Sequence, residues 1–196
     1  MKRVRNRSIQ SLFSGNGPHF DLPHGKLMGM SKEASPPAKP LVLRALCERV
    51  EGQLAALTRS QQESQAGATH AETRAEDPKD MRSTEASYLA RGLADRVAKL
   101  QFAATRLGSL EVPPFAPQDP ISAGALVAIE DEEGEVRMHF FVPVAGGEKL
   151  VCGGQIIHSL SPESPLGREA LGREAGEDFE FDLPRGRVSA TVLWVR

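Results

Sequence analysis

The sequence predicts an α+β protein in which an N-terminal antiparallel α-helical coiled-coil hairpin precedes a C-terminal antiparallel β-sheet domain with one short helix. Two segments with apolar residues at helical spacing, separated by a polar stretch, predict the hairpin. Beyond a proline-rich segment the apolar period shortens to that of strands, which predicts the sheet. The expected divisions are a disordered basic and Pro-rich extension (1–40), the hairpin (41–110), a linker (111–120) and the sheet domain (121–196).

In the predicted hairpin, apolar residues recur every three or four positions and therefore share one face of each helix. Two such faces can bury each other as an antiparallel coiled coil. The first stripe is Leu43, Cys47, Val50, Leu54 and Leu57, and the second is Ala86, Ala90, Leu93, Val97, Leu100, Ala104 and Leu107.

A loop is predicted between the two helices, over 65–83, because Gly67 and Pro78 disfavour a helix there. A carboxylate cluster in such a loop usually means only that the loop is solvated. At the far end of a projecting hairpin, however, carboxylates could reach into a cavity of another protein, where oxygen ligands suit Mg²⁺. The carboxylates are Glu72, Glu76, Asp77 and Asp80, with Glu85 just inside the next helix.

Five strands are predicted beyond the proline-rich linker, at 121–129, 137–144, 155–160, 179–183 and 188–195. The stretch SPLGREALGREAG, 164–176, interrupts them and predicts one or two helical turns packed on the sheet. Its Ser164 can cap a helix and Pro165 fits the first turn, while Gly172 and Gly176 can end it at positive φ. Its expected apolar face is Leu166, Ala170 and Leu171.

Charge is unevenly distributed along the chain. Residues 111–196 contain seven Lys and Arg against fifteen Asp and Glu, whereas 1–40 contain seven against two. An acidic sheet domain disfavours direct DNA binding and favours a protein partner. No apolar run approaches the roughly 20 residues that span a bilayer, so a membrane partner is not expected.

The cysteines and the strand histidines do not show the spacing of a metal site, a disulfide framework or a catalytic nucleophile with its base. Cys47 and Cys152 lack CxxC spacing and are expected to be reduced, buried small residues. His139 and His158 lie within predicted strands, without a nucleophile pattern beside them.

The first 29 residues contain five Lys and Arg but no apolar segment of the secretory kind. Met30 is an alternative initiator to Met1, and a nucleic-acid-binding arm is the functional alternative for the basic residues.

Two segments resemble the bacterial GreA/GreB transcript cleavage factors. SPLGREALGREAGEDFEF, followed by PRG at 184–186, is similar to their C-terminal signature, with Asp178 one place late and Arg185 in place of a glycine. STEASYLARG, at 83–92, is similar to the start of their second hairpin helix through Ala86, Tyr88, Ala90 and Arg91. The resemblance extends from about Leu41 to Arg196 and implies that the sheet domain is FKBP-like.

The resemblance also implies a function. Such a factor is not an enzyme: it docks on bacterial RNA polymerase, inserts its hairpin into the secondary channel and stimulates the polymerase's own cleavage of backtracked RNA. The implied tip carboxylates are Asp77, Asp80 and Glu85, of which Asp77 and Asp80 would share the polymerase's Mg²⁺. The expected docking residues are Leu166, Arg168 and Leu171. A cytoplasmic monomer without a cofactor of its own is expected, with nascent RNA and DNA as indirect partners.

Two alternatives stay open. Aligning Tyr88 with the family tyrosine places the two acidic positions of the family on Met81 and Thr84, which favours a regulator that occupies the channel without promoting cleavage. The other alternative is a Gre-like regulator of nucleoside diphosphate kinase, which would have a short helical arm. The predicted helices of roughly 22 and 25 residues would instead reach about 33 to 38 Å.

Overall fold

A computed structural model describes residues 35–71, 81–184 and 186–196. Two long helices, α1 (Lys39–Ala71) and α2 (Met81–Gly108), come first. The remaining elements are β1 (Leu126–Asp131), β2 (Val136–Phe141), β3 (Lys149–Cys152), β4 (Gln155–Leu160), α3 (Pro165–Ala170), β5 (Asp178–Leu183) and β6 (Gly186–Val195). The α+β class is confirmed, whereas most of the predicted N-terminal extension lies outside the described residues.

The two long helices run antiparallel. The first turns of α1 and the last turns of α2 meet in one core, where Val42, Leu46 and Leu107 are fully buried. The predicted stripe of α1 is displaced by one position in its first two turns only, where Val42 and Leu46 are inaccessible while Leu43 and Cys47 are half-buried. Val50 is fully buried, as predicted. The displacement arises because the beginning of α1 packs against the sheet as well as against α2.

Both helices are longer than predicted, with 33 residues in α1 and 28 in α2. The predicted loop at 65–83 is therefore too long, because α1 continues through Gly67 to Ala71 and α2 begins at Met81. One glycine costs a helix only about 1 kcal/mol relative to alanine, which neighbouring good helix formers can offset. Residues 72–80 lie outside the described part of the chain. Within the described ranges, no helix combines the length and apolarity needed to cross a bilayer.

The described strands form one six-stranded sheet in the order β3-β4-β2-β1-β6-β5. All neighbours are antiparallel except β2 and β4, which are parallel. The prediction of five antiparallel strands is thus wrong in two respects: β3 was not predicted, and β2 and β4 pair in parallel. Gly153 and Gly154, with φ of 59° and 76°, form the two-residue turn from β3 to β4, as hairpin turns of this kind require.

The sheet lies between two layers of apolar side chains. On one face, the joined ends of α1 and α2 cover residues that include Met138, Phe140 and Ile157. On the other face, Ala170 of α3 packs with Phe141, Phe179 and other residues of β1, β5 and β6. The sheet therefore holds the helical pair on one side and α3 on the other.

Polar contacts add to the attachment of α1 to the sheet. Glu148, in the loop between β2 and β3, accepts hydrogen bonds from Arg49 Nε at 3.0 Å and from Gln53 Nε2 at 2.9 Å. Both donors lie on α1 one turn apart, so that a single carboxylate joins two successive turns of the helix to this loop.

Candidate functional site

The helical pair extends well past its attachment to the sheet. From Gln53, α1 continues to Ala71, a distance of about 27 Å at 1.5 Å per residue. We call residues 54–71 and 81–99 the distal arm. The apolar residues Leu54, Leu57, Leu93 and Val97 are half-buried there, as expected where two helices contact each other but no third layer covers them.

Of the three predicted tip carboxylates, only Glu85 belongs to a described element. Asp77 and Asp80 fall outside the described residues, and Glu85 belongs to the beginning of α2. Met81 is the first residue of α2 and Thr84 lies three positions further along. Among the described residues, no three His, Cys, Asp or Glu side chains gather into a metal-binding group. The roles proposed for the carboxylates stay predictions.

Large apolar side chains are exposed on the distal arm. Tyr88 and Leu89, both on α2, are each 69% exposed. Neighbouring exposed apolar side chains can supply contact area to another protein, although single ones are common on protein surfaces. Tyr88 is also one of the four residues that carry the resemblance in this helix.

The helix α3 begins as predicted. Ser164 Oγ accepts a hydrogen bond from the backbone N–H of Gly167 at 3.0 Å, and Pro165 occupies the first helical position. Gly172 and Gly176 follow the helix with φ of 80° and 88°. Both the predicted cap and the predicted glycine conformations are confirmed.

The predicted apolar face of α3 divides into buried and exposed parts. Ala170 is fully buried, and half-buried Leu166 packs on the core of the same sheet face. Leu171 is 47% exposed, so its assignment to the packed face is wrong: it lies just beyond the last residue of α3. Arg168 is exposed as well. Of the three predicted docking residues, Arg168 and Leu171 are thus free to contact a partner, while Leu166 mainly stabilises the fold.

The two strand histidines are neighbours across β2 and β4. Their ring centroids lie 5.9 Å apart. Burial, with smaller contributions from His158 and Arg137, lowers the pKa of His139 to about 3. Burial also lowers the pKa of His158. Both rings are neutral near pH 7, and neither has the arrangement of a general base beside a nucleophile.

Both cysteines are free thiols. Cys152 is buried and Cys47 is half-buried, and burial raises the pKa of each thiol. A thiol with a raised pKa is a poor nucleophile at neutral pH. Cys152 matches the predicted buried small residue, while Cys47 does so in part.

A cavity of about 600 Å³ was missed by the sequence reasoning. It lies between the start of α1, the proline-rich segment and the end of β6, and its walls include Lys39, Phe115, Trp194 and Arg196. These residues come from three distant parts of the chain, so no local pattern could have joined them. The one feature of the sequence that could have pointed to the cavity was its single tryptophan, Trp194.

Comparisons with known proteins agree with the resemblance seen in the sequence. Residues 116–196 match the family described as the C-terminal domain of transcription elongation factor GreA/GreB. Transcription elongation factor GreA of Nitratidesulfovibrio vulgaris strain DP4 is 33% identical over 79 residues, which are 40% of this chain. The match spans 45% of the length of that relative.

Similar solved structures are more distant. The crystal structure of Thermus aquaticus Gfh1 is 21% identical and covers 78% of this chain and 95% of its own, with a TM-score of 0.32. The transcription elongation factor GreA/GreB from Nitrosomonas europaea is 18% identical and covers 59% of this chain and 94% of its own, with a TM-score of 0.30.

Proposed function

We propose that the protein is a transcription elongation factor that acts on RNA polymerase, because residues 116–196 match the family described as the C-terminal domain of transcription elongation factor GreA/GreB. The sheet domain docks on the polymerase, and the distal arm enters the secondary channel. The factor is not itself an enzyme, acts in the cytoplasm as a monomer, and meets nascent RNA and DNA only within the elongation complex.

The observation that carries this proposal is the combination of the family domain with the projecting arm. The arm extends about 27 Å past the contact between Gln53 and Glu148. Its apolar residues Leu54, Leu57, Leu93 and Val97 are half-buried between the two helices, and no third layer among the described residues covers the arm. A narrow pair of helices fits a channel that a globular domain cannot enter. The acidic sheet domain, with fifteen Asp and Glu in 111–196, supports docking on protein rather than on DNA.

In the proposed activity, carboxylates at the end of the arm assist the metal centre of the polymerase. Asp77, Asp80 and Glu85 are the candidate groups. Carboxylate oxygens stabilise a catalytic Mg²⁺ and orient a water molecule, which then attacks the backbone of backtracked RNA. The factor needs no cofactor of its own, because the polymerase supplies the metal.

A second candidate function is occupation of the channel without cleavage. It is favoured by Met81 and Thr84, since neither residue at the two positions aligned with the family acids carries a carboxylate. The regulator of nucleoside diphosphate kinase is disfavoured, because helices of 33 and 28 residues do not form a short arm.

The cleavage proposal is tested with halted, backtracked elongation complexes. The full chain is expected to accelerate cleavage at the RNA 3′ end. The triple variant Asp77→Asn, Asp80→Asn and Glu85→Gln is expected to lose at least about tenfold in cleavage rate, equivalent to about 1.4 kcal/mol of transition-state stabilisation. Polymerase binding is expected to persist, because docking uses the other end of the molecule. Asp95→Asn, an exposed acid further along α2, is the matched control.

Each alternative outcome has a defined meaning. Full cleavage by the triple variant would exclude these three carboxylates. Binding without cleavage by the unaltered chain would support the second candidate. In that case the double variant Met81→Asp and Thr84→Glu is expected to gain cleavage activity, since it places carboxylates at the aligned positions.

The docking residues are tested separately by Leu171→Asp. A new charge at an exposed apolar contact is expected to weaken polymerase binding about tenfold or more, because the carboxylate must be desolvated in the interface. Val151→Asp is the matched control, since Val151 is 71% exposed and lies on β3 at the opposite end of the sheet. Equal affinities of the two variants would show that docking uses another surface.

A further inference from the structure

The 600 Å³ cavity beside β6 has the construction of a small-molecule site. Its apolar wall comes from Pro114 and Phe115 of the proline-rich segment and from Leu193 and Trp194 of β6. Ligand sites are typically concave, mostly apolar and about this size, with a few polar groups that orient the ligand.

The two charged side chains among the residues that line this cavity are both cations. Lys39 Nζ lies 4.2 Å from the centroid of the Phe115 ring and donates a hydrogen bond to the Pro113 carbonyl. The guanidinium carbon of Arg196 lies 5.2 Å from the centroid of the Trp194 ring. Of the residues described as lining the cavity, none is acidic.

Among the described residues, neither Lys39 nor Arg196 forms an ion pair with a carboxylate side chain. Burial lowers the pKa of Lys39, which means that its ammonium group has lost part of its hydration. An anion in the cavity would compensate that loss, because Coulomb attraction is stronger where water is partly excluded.

We propose that this cavity binds a small amphipathic anion, in which a carboxylate or a similar group is attached to an apolar body. The body lies against Phe115 and Trp194, and the anionic group pairs with Lys39 and Arg196. This site uses none of the residues assigned to the proposed action on RNA polymerase, which are the candidate tip carboxylates and Leu166, Arg168 and Leu171.

Trp194 provides a direct readout, since it is the one tryptophan in the sequence. The full chain is titrated with decanoate, below the concentration at which it forms micelles, and with decan-1-ol as the neutral counterpart. Saturable changes in tryptophan emission, confirmed by isothermal titration calorimetry, are expected for decanoate. Decan-1-ol is expected to bind at least about fivefold more weakly, because it cannot pair with the cations.

Variants assign the binding to this cavity. Lys39→Gln and Arg196→Gln are each expected to weaken decanoate binding roughly threefold to fivefold, the range of partly exposed ion pairs. Lys39→Arg is expected to retain binding, because it keeps the charge. Arg187→Gln, which removes an exposed cation at the other end of β6, is the control and is expected to change nothing.

Three outcomes would overturn the proposal. These are equal affinities for decanoate and decan-1-ol, an equal loss of binding in Arg187→Gln and Lys39→Gln, and the absence of any saturable response in fluorescence and calorimetry. Circular dichroism of each variant confirms that the fold is intact, so that a loss of binding reports on the cavity.

Discussion

His139 combines deep burial with a titratable ring. It is 8% exposed, and its Nδ1 has no hydrogen-bond partner among the described residues. Protonation of the ring in this position would place a charge in an apolar layer beside His158, within reach of the Arg137 charge. The native protein therefore excludes the proton until the pH is far below the ordinary range of histidine.

Because the native protein excludes this proton, its free energy of unfolding depends on pH. Between the unfolded pKa of about 6.5 and the folded pKa of about 3, the unfolded chain binds more protons than the native protein. The stability that depends on this neutral ring is therefore fully present only above about pH 6.5 and is lost, by up to about 1.4 kcal/mol per pH unit, as the pH drops toward 3. His139→Leu is expected to flatten the curve between pH 6.5 and 4, as measured by urea unfolding.

A companion variant distinguishes this effect from a general response to acid. His158→Leu is expected to flatten the curve less, because His158 is only half-buried. Parallel pH profiles for the unaltered protein and His139→Leu would show that other groups cause the acid sensitivity.

The position of α3 depends on a close approach between backbones. A Cβ atom added to Gly167 would lie 2.0 Å from the carbonyl oxygen of Ser161. Gly167→Ala is therefore expected to destabilise the protein by about 1 to 3 kcal/mol, the usual cost of overpacking, in urea unfolding at pH 7.5.

The matched control is Gly92→Ala in the middle of α2. Nothing lies within 4 Å of the added Cβ there, and alanine is the better helix former by up to about 1 kcal/mol. That variant is expected to be neutral or stabilised. Equal stabilities for the two variants would mean that α3 shifts away from Ser161 at little cost.

Local patterns explain which elements the sequence could predict. The cap at Ser164 and the glycines after α3 depend on neighbouring residues alone, and both predictions are confirmed. Strand β3 was missed because it has only four residues, although the Gly153–Gly154 turn signals a hairpin. The burial of Val42 and the cavity walls depend on contacts between distant segments. No local period reveals such contacts.

The same reason limits what could be predicted about function. Motifs along the chain indicated the family domain, which the match over 116–196 confirms. Exposure, in contrast, follows from packing, and only the structure separates exposed Leu171 from half-buried Leu166.

At the level of the whole molecule, the long helices and the sheet share one core. Leu46 is inaccessible to solvent and belongs to the cluster that contains Leu107, Phe140 and Ile157. Helices and sheet should therefore unfold together, since the unfolding of either one would expose the apolar side chains that the other contributes to this cluster.

Leu46→Ala tests this coupling. The variant is expected to lose about 2 to 5 kcal/mol of unfolding free energy, because a cavity replaces a fully buried side chain. Circular dichroism at 222 nm, which follows the helices, and the fluorescence of Trp194 in the sheet should shift to the same lower urea midpoint. Leu41→Ala, at a side chain that is 59% exposed, should change stability by less than about 0.5 kcal/mol. A shift of the helix signal alone would show that the two parts unfold separately.

The strand order also governs when this protein can fold during its own synthesis. Strand β6 lies between β1 and β5, yet it is the last of the described strands to be made. Until it leaves the ribosome, β1 has an open edge on the side away from β2, and β5 has no described partner strand. The nascent chain therefore carries unpaired strand edges, which favour aggregation. A chaperone that shields such edges would therefore bind this chain late in translation.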